Sequence, residues 1–238
     1  MRMFLALLLT LAPLALGAQP VTVFAAASLR GALSEIAHSY DADVTLSFAG
    51  SGTLARQVAA GAPVDVVVLA HPEWMDWLEG RGLTKPATRV DVAGGRLVLI
   101  GPAGASTLEA PDTDTLRMAL GNGRLAIGQR DAVPAGSYAR DWLRHIGAWE
   151  AMIPHLAETD NVRAALALVA AGAAPLGVVY ASDAAAEPRV SLRYAIPADT
   201  HAPIRYPAAA TTDAGRGFLD HLQSSEARAI FTAHGFAP

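Results

Sequence analysis

Apolar runs that end in small residues, each followed at once by the start of a helix, recur along this chain. VTVFAAAS (Val21–Ser28) leads into LRGALSEIAHSY, and TLSFAGSG leads into TLARQVAAG. RLAIG (Arg124–Gly128) leads through DAVPAGSY (Asp131–Tyr138) into ARDWLRHIG, and Asn161–Val162 opens RAALALVAAG. This pattern confines the chain to α/β architectures. A continuous apolar run such as VDVVVLA (Val64–Ala70) suits a strand buried on both faces, and amphipathic helices such as Leu29–Tyr40 supply the cover. It also places several helix starts at one edge of a sheet. A helix start leaves backbone N–H groups without partners and exposes the positive end of the dipole. The four starts carry small or hydroxyl residues and no Lys or Arg at the first position. Aimed at one point, they make a site for an anion.

The order of segments divides the chain. Three βα units fill the first third: VTVFAAA with Leu29–Tyr40, DVTLSFAG with Thr53–Ala60 stopped at Gly61, and VDVVVLA followed by Pro72 and EWMDWLEG. This order predicts a parallel sheet with helices on both faces. GGRLVLIGP (Gly94–Pro102) opens a second series with helices near Asp114–Leu120, from Gly136 and from Asn161, and strands at Arg124–Gly128, PLGVVYAS and RVSLRYAI. PIRYPAAATT (Pro203–Thr212) then reads as a strand returning to the first unit, followed by helices at Asp213–Gln223 and Ser225–His234. The expected architecture is two α/β lobes, each a mostly parallel sheet flanked by helices. Lobe I takes residues 19–93 and 205–238, and lobe II takes 94–204. Two crossing segments form a hinge, and the helix starts line the cleft.

Composition sets the compartment and narrows the partners. Met1–Ala18 (MRMFLALLLTLAPLALGA) has the charge, apolar run and small-residue end of a secretory signal peptide, and cleavage fits after Gly17 or Ala18. No cysteine follows to carry a lipid, and none is present for disulfides, thiolate catalysis or Cys-ligated metal. No later stretch has the length and apolarity of a membrane span. The formal net charge is −4, or −5 once Arg2 leaves with the leader, which argues against nucleic acid as a partner. An anion must therefore be held locally. The seven histidines show no metal-ligand spacing.

Five positions at strand ends or helix starts are candidate donors. Ser28 and Ser51 each have an ordinary alternative as helix N-caps. Gly50 and Gly52 around Ser51 favour a ligand, because they allow close approach to the backbone. Ala135 and Val162 offer only backbone N–H groups and, taken singly, are plain helix starts. Tyr180 ends the apolar strand GVVY and, taken alone, is a strand aromatic with its hydroxyl at the rim. Taken together, all five fall where open α/β sheets bind ligands, and none brings a full charge. Asp65 and Asp183 read as a loop carboxylate and a cap.

VFAAASL, FAGSGTLARQVAAGAPVDV, WMDWL, GRLAIG, VPAGSYARDWLRHIGAW and DNVRAALALVAAGAAPLGVVYASDA together resemble the periplasmic molybdate-binding proteins of ABC importers. The likeness runs from about Val21 to Phe236. It implies a type II periplasmic-binding-protein fold and no cofactor. The implied ligand is molybdate or tungstate, held in the interlobe cleft by neutral donors, with molybdenum bound as the oxyanion and not coordinated by side chains. It assigns Ser28 and Ser51 as hydroxyl and backbone donors, Ala135 and Val162 as backbone N–H donors, and Tyr180 as the phenol donor. It also implies a soluble periplasmic monomer serving a membrane permease and ATPase. Ser51 lies between glycines where relatives often show adjacent serines. His71 stands where relatives often carry an acid, and it is given no role.

Two alternatives remain at this level. One is a binding protein for sulfate or another tetrahedral oxyanion, which shares charge and shape with molybdate and differs in size. The other is a secreted hydrolase with Ser28 or Ser51 as nucleophile. That chemistry needs a general base beside the serine, and His38 falls at the far end of its helix.

Overall fold

The computed structural model describes residues 20–237, so the signal peptide read at Met1–Ala18 lies outside the described residues. The first unit runs β1 (Val21–Ala26), α1 (Arg30–His38), β2 (Val44–Ala49), α2 (Ser51–Ala59), β3 (Val66–Val68), α3 (Pro72–Glu79) and β4 (Val90–Gly94). The chain then crosses to β5 (Leu97–Pro102), α4 (Thr113–Leu120), β6 (Leu125–Gly128), α5 (Pro134–His145), α6 (Trp149–Met152), β7 (Leu156–Thr159), α7 (Val162–Ala170), β8 (Leu176–Tyr180), α8 (Ala181–Ala185) and β9 (Val190–Ala195). It returns through β10 (Arg205–Ala210) and closes with α9 (Arg216–His221) and α10 (Ser225–Ala233).

Two five-stranded sheets result, in the orders β2-β1-β3-β10-β4 and β7-β6-β8-β5-β9. Each sheet is mostly parallel, as expected, with one reversed strand. β1 pairs parallel with β2 and β3, whereas β10 lies antiparallel between β3 and β4. The second sheet repeats the device, with β5 antiparallel to both β8 and β9. The reversed strand in each sheet is the one that has just crossed from the other unit. It enters from the cleft side and so runs against its neighbours.

The crossing itself also differs from the sequence reading. GGRLVLIGP is not one strand: Gly94 ends β4 and β5 begins at Leu97. Gly94 exchanges backbone hydrogen bonds with Ala237 (2.8 and 3.0 Å), which ties the end of the chain to the crossing segment. The buried aliphatic residues of β1, β3, β5, β6 and β8 pack with the inner faces of the helices. The carboxyl ends of β1, β2, β6, β7 and β8 then bring Ser28, Ser51, Ala135, Val162 and Tyr180 to one place between the sheets.

Candidate functional site

β1 runs directly into a 3-10 turn, Ala27–Leu29, that precedes α1. Ser28 is the middle residue of that turn and is 2% exposed. Its side chain caps neither the turn nor α1, and its Oγ lies 3.3 Å from the Tyr206 hydroxyl. At the end of β2, Gly50 is the N-cap of α2 and Ser51 the first helical residue. Ser51 Oγ accepts the Ala70 N–H at 3.0 Å instead of capping. The N-cap alternative therefore holds for neither serine. A hydroxyl whose lone pair takes a donor from behind keeps its own hydrogen to give forward.

The second unit contributes main-chain donors and a phenol. Pro134 opens α5 without an N–H, and Val133 provides no side-chain cap. The Gly136 and Ser137 N–H groups both go to the Val133 carbonyl (2.8 and 3.1 Å), which leaves the Ala135 N–H for the cleft. Asn161 caps α7, its Oδ1 accepting from Ala164 N at 3.0 Å, so Val162 presents the first free N–H. Tyr180 ends β8 with its hydroxyl buried and, among the described residues, without a hydrogen-bond partner. Burial raises its pKa well above the usual phenol value, so it enters the cleft as a neutral donor.

All five residues line one small cavity between the two units, whose volume as traced by the centre of a water molecule is about 10 Å³. Among the described residues, no ionisable side chain apart from the Tyr180 phenol lines it. Arg163, one residue beyond Val162, is paired at 2.6 Å with Asp183, which is fully buried. Asp183 thus neutralises a guanidinium and is not the cap expected from sequence. Burial raises its pKa to about 6 against the opposing pull of Arg163. A small, uncharged cavity ringed by donors fits a compact, fully deprotonated oxyanion. It has no room for a sugar or a peptide.

Contacts that local sequence did not reveal hold the two units together. Gly52 N–H donates to the Ala132 carbonyl across the cleft at 3.1 Å. A Cβ at Gly52 would lie 2.5 Å from that carbonyl oxygen, so only glycine permits this approach. Tyr180 and Tyr206 meet edge to face at 5.8 Å. His71, given no role above, caps α3 through Nδ1, which accepts from Glu73 N at 3.2 Å, and stacks at 4.8 Å on Tyr138 of α5.

The cap requires an unprotonated Nδ1, and desolvation lowers the His71 pKa. Glu73, Asp141 and Asp76 oppose that shift and Arg140 adds to it. A depressed histidine pKa takes stability away as pH falls from about 6.5 through the folded value. The melting temperature of the wild type is expected to fall more steeply between pH 7 and pH 5 than that of His71→Asn, which keeps a neutral cap. Equal slopes by differential scanning calorimetry would remove His71 from this account.

Two α/β units closed over a neutral, donor-lined cavity at their strand ends define a binding protein for small anions. Residues 21–237 match the family model described as bacterial extracellular solute-binding protein, and the chain belongs to that family. It is 41% identical to the molybdate-binding protein ModA of Escherichia coli over 91% of this chain and 88% of that one. It is 37% identical to ModA of Haemophilus influenzae over 91% and 89%. The solved periplasmic molybdate-binding protein of Azotobacter vinelandii superposes with a TM-score of 0.79 at 25% identity, over 92% of this chain and 99% of that one.

Proposed function

We propose that this chain binds molybdate, and tungstate with it, and hands the anion to the permease and ATPase of an ABC importer. Ser28 and Ser51 of lobe I and Ala135, Val162 and Tyr180 of lobe II are the donors, with lobe I spanning residues 19–93 and 205–238 and lobe II 94–204. The observation that carries this reading is the convergence of these five neutral donors on one small cavity that, among the described residues, has no charged lining. The protein acts as a periplasmic monomer. Among the described residues no helix is long and apolar enough to cross a membrane. The hydrolase alternative lacks support: Ser28 Oγ faces a phenol and Ser51 Oγ a backbone N–H, and neither partner is a general base.

Donor chemistry and size set the selectivity. Hydrogen phosphate carries a proton that a ring of donors leaves without an acceptor, and sulfate shares the charge and shape of molybdate but differs in size. Isothermal titration is expected to give one tight site for molybdate and for tungstate, with sulfate and phosphate at least about 100-fold weaker. Because every donor is neutral, affinity should change little with added sodium chloride. Tight phosphate binding, or a steep loss of molybdate affinity with salt, would point to a charged site and a different ligand.

A further inference from the structure

Tyr206 lies on β10 and is fully buried, and it does not line the cavity. Its ring is fixed by edge-to-face contacts with Tyr180 at 5.8 Å and with Phe236 at 5.2 Å. Its hydroxyl has one partner among the described residues, Ser28 Oγ at 3.3 Å. Two directions are open to that hydrogen bond. If Ser28 donated to Tyr206, the phenol hydrogen would be left buried without an acceptor, and Ser28 would turn a lone pair toward the anion. If Tyr206 donates, its hydrogen is satisfied and the Ser28 hydrogen points into the cavity.

Ser51 shows the same construction independently. Its Oγ takes the Ala70 N–H from behind, at 3.0 Å. Both serines are thus backed by a donor on the side away from the ligand. One of these donors is main chain and cannot be altered by substitution; the other is a side chain.

On the reading of the ligand given above, we infer that Tyr206 is a positioning residue for oxyanion binding. By donating to Ser28 Oγ it commits the Ser28 hydroxyl to act as a donor. The chain Tyr206 O–H to Ser28 O–H to anion oxygen also polarises the last bond, since successive hydrogen bonds strengthen one another in a low-dielectric interior.

The test is a double-mutant cycle on the full mature chain with Tyr206→Phe, Ser28→Ala and the combined variant, titrated with sodium molybdate at neutral pH. Phenylalanine keeps both ring contacts and removes one oxygen, and a melting curve for each variant checks that the fold is kept. Tyr206→Phe is expected to weaken binding about 3- to 10-fold in the wild-type background and less than about 2-fold when Ser28 is already alanine. An equal loss in both backgrounds would mean that Tyr206 acts through Tyr180 or the hinge, and the inference fails. No loss in the wild-type background overturns it as well. If the wild type itself takes up no molybdate, the ligand reading falls and this inference with it. If the wild type binds and only the coupling is missing, the ligand reading stands.

Discussion

Replacing Gly50 by alanine is expected to weaken molybdate binding by about 100-fold or more and to abolish the contraction that accompanies it, without loss of thermal stability in the absence of ligand. The reason is a steric conflict confined to the closed form. A Cβ at Gly50 would lie 2.4 Å from the Asp160 carbonyl oxygen and 3.3 Å from Val133 Cγ2, both across the cleft. The Asp160 carbonyl is main chain beside the Asn161 cap of α7 and cannot swing aside as a long side chain would. The backbone at Gly50, φ −66° and ψ 142°, is ordinary for alanine, so lobe I itself carries no strain. Fewer unfolded conformations should even raise stability by about 0.4–1 kcal/mol. Held open, the protein retains Ser28 and Ser51 and loses Ala135, Val162 and Tyr180. Losing even two charge-assisted hydrogen bonds, at roughly 1.5–3 kcal/mol each, exceeds a hundredfold. Titration and small-angle scattering with and without molybdate read the two effects. Wild-type affinity with normal contraction would show that the cleft tolerates a methyl group at this point and that closure contributes little.

This conflict illustrates what sequence does and does not disclose. The alternation of apolar runs and helix starts is a local property. Of the strands that lead into the site, VTVFAA, VTLSFA, LAIG and LGVVY are readable from it, and β7 before Val162 is not. Weak strands are less legible. β4 (VDVAG) and β7 (LAET) carry acidic residues and few large apolar ones, because each lies at the edge of its sheet and one side faces away from the core. The reversed direction of β5 and β10 follows from where the chain re-enters a sheet, and no local residue pattern encodes that.

The same distinction separates the two shells of the site. Ser28, Ser51, Ala135, Val162 and Tyr180 sit at strand ends and helix starts, positions that sequence marks. Tyr206 supports Ser28 from 178 residues away along the chain. The one available sign is a tyrosine that, after the exposed Arg205, opens the small apolar run YPAAA of β10, comparable to Tyr180 at the end of LGVVY. His71 caps its helix, which a residue ahead of Pro72 suggests, but its stacking on Tyr138 exists only once the lobes have met.

Tyr180→Phe is expected to move affinity and stability in opposite directions. In the closed structure the Tyr180 hydroxyl is buried, 1% of the residue is exposed, and among the described residues no protein atom bonds to it. An orphaned buried hydroxyl costs about 1–3 kcal/mol, so deleting it should leave the melting temperature without ligand equal or higher. Phenylalanine keeps the edge-to-face contact with Tyr206, so packing changes little. With molybdate, the same hydroxyl supplies one charge-assisted hydrogen bond from the second lobe. Its removal should cost roughly 1.5–3 kcal/mol, or about ten- to a hundredfold in affinity. Because the phenol stands on the lobe opposite Ser28 and Ser51, part of that loss should appear as less complete closure. A ligand shifts an open–closed equilibrium only by its differential affinity for the two forms, and Tyr180 acts in one of them. The measurements are melting curves with and without molybdate, a titration, and scattering of both proteins at saturation. The expected pattern is an unchanged or raised melting temperature alone and a smaller ligand-induced rise than in wild type. A variant that binds as tightly as wild type would make Tyr180 a strand-end aromatic. A variant that loses stability without ligand would mean that its hydroxyl already has a partner in the free protein.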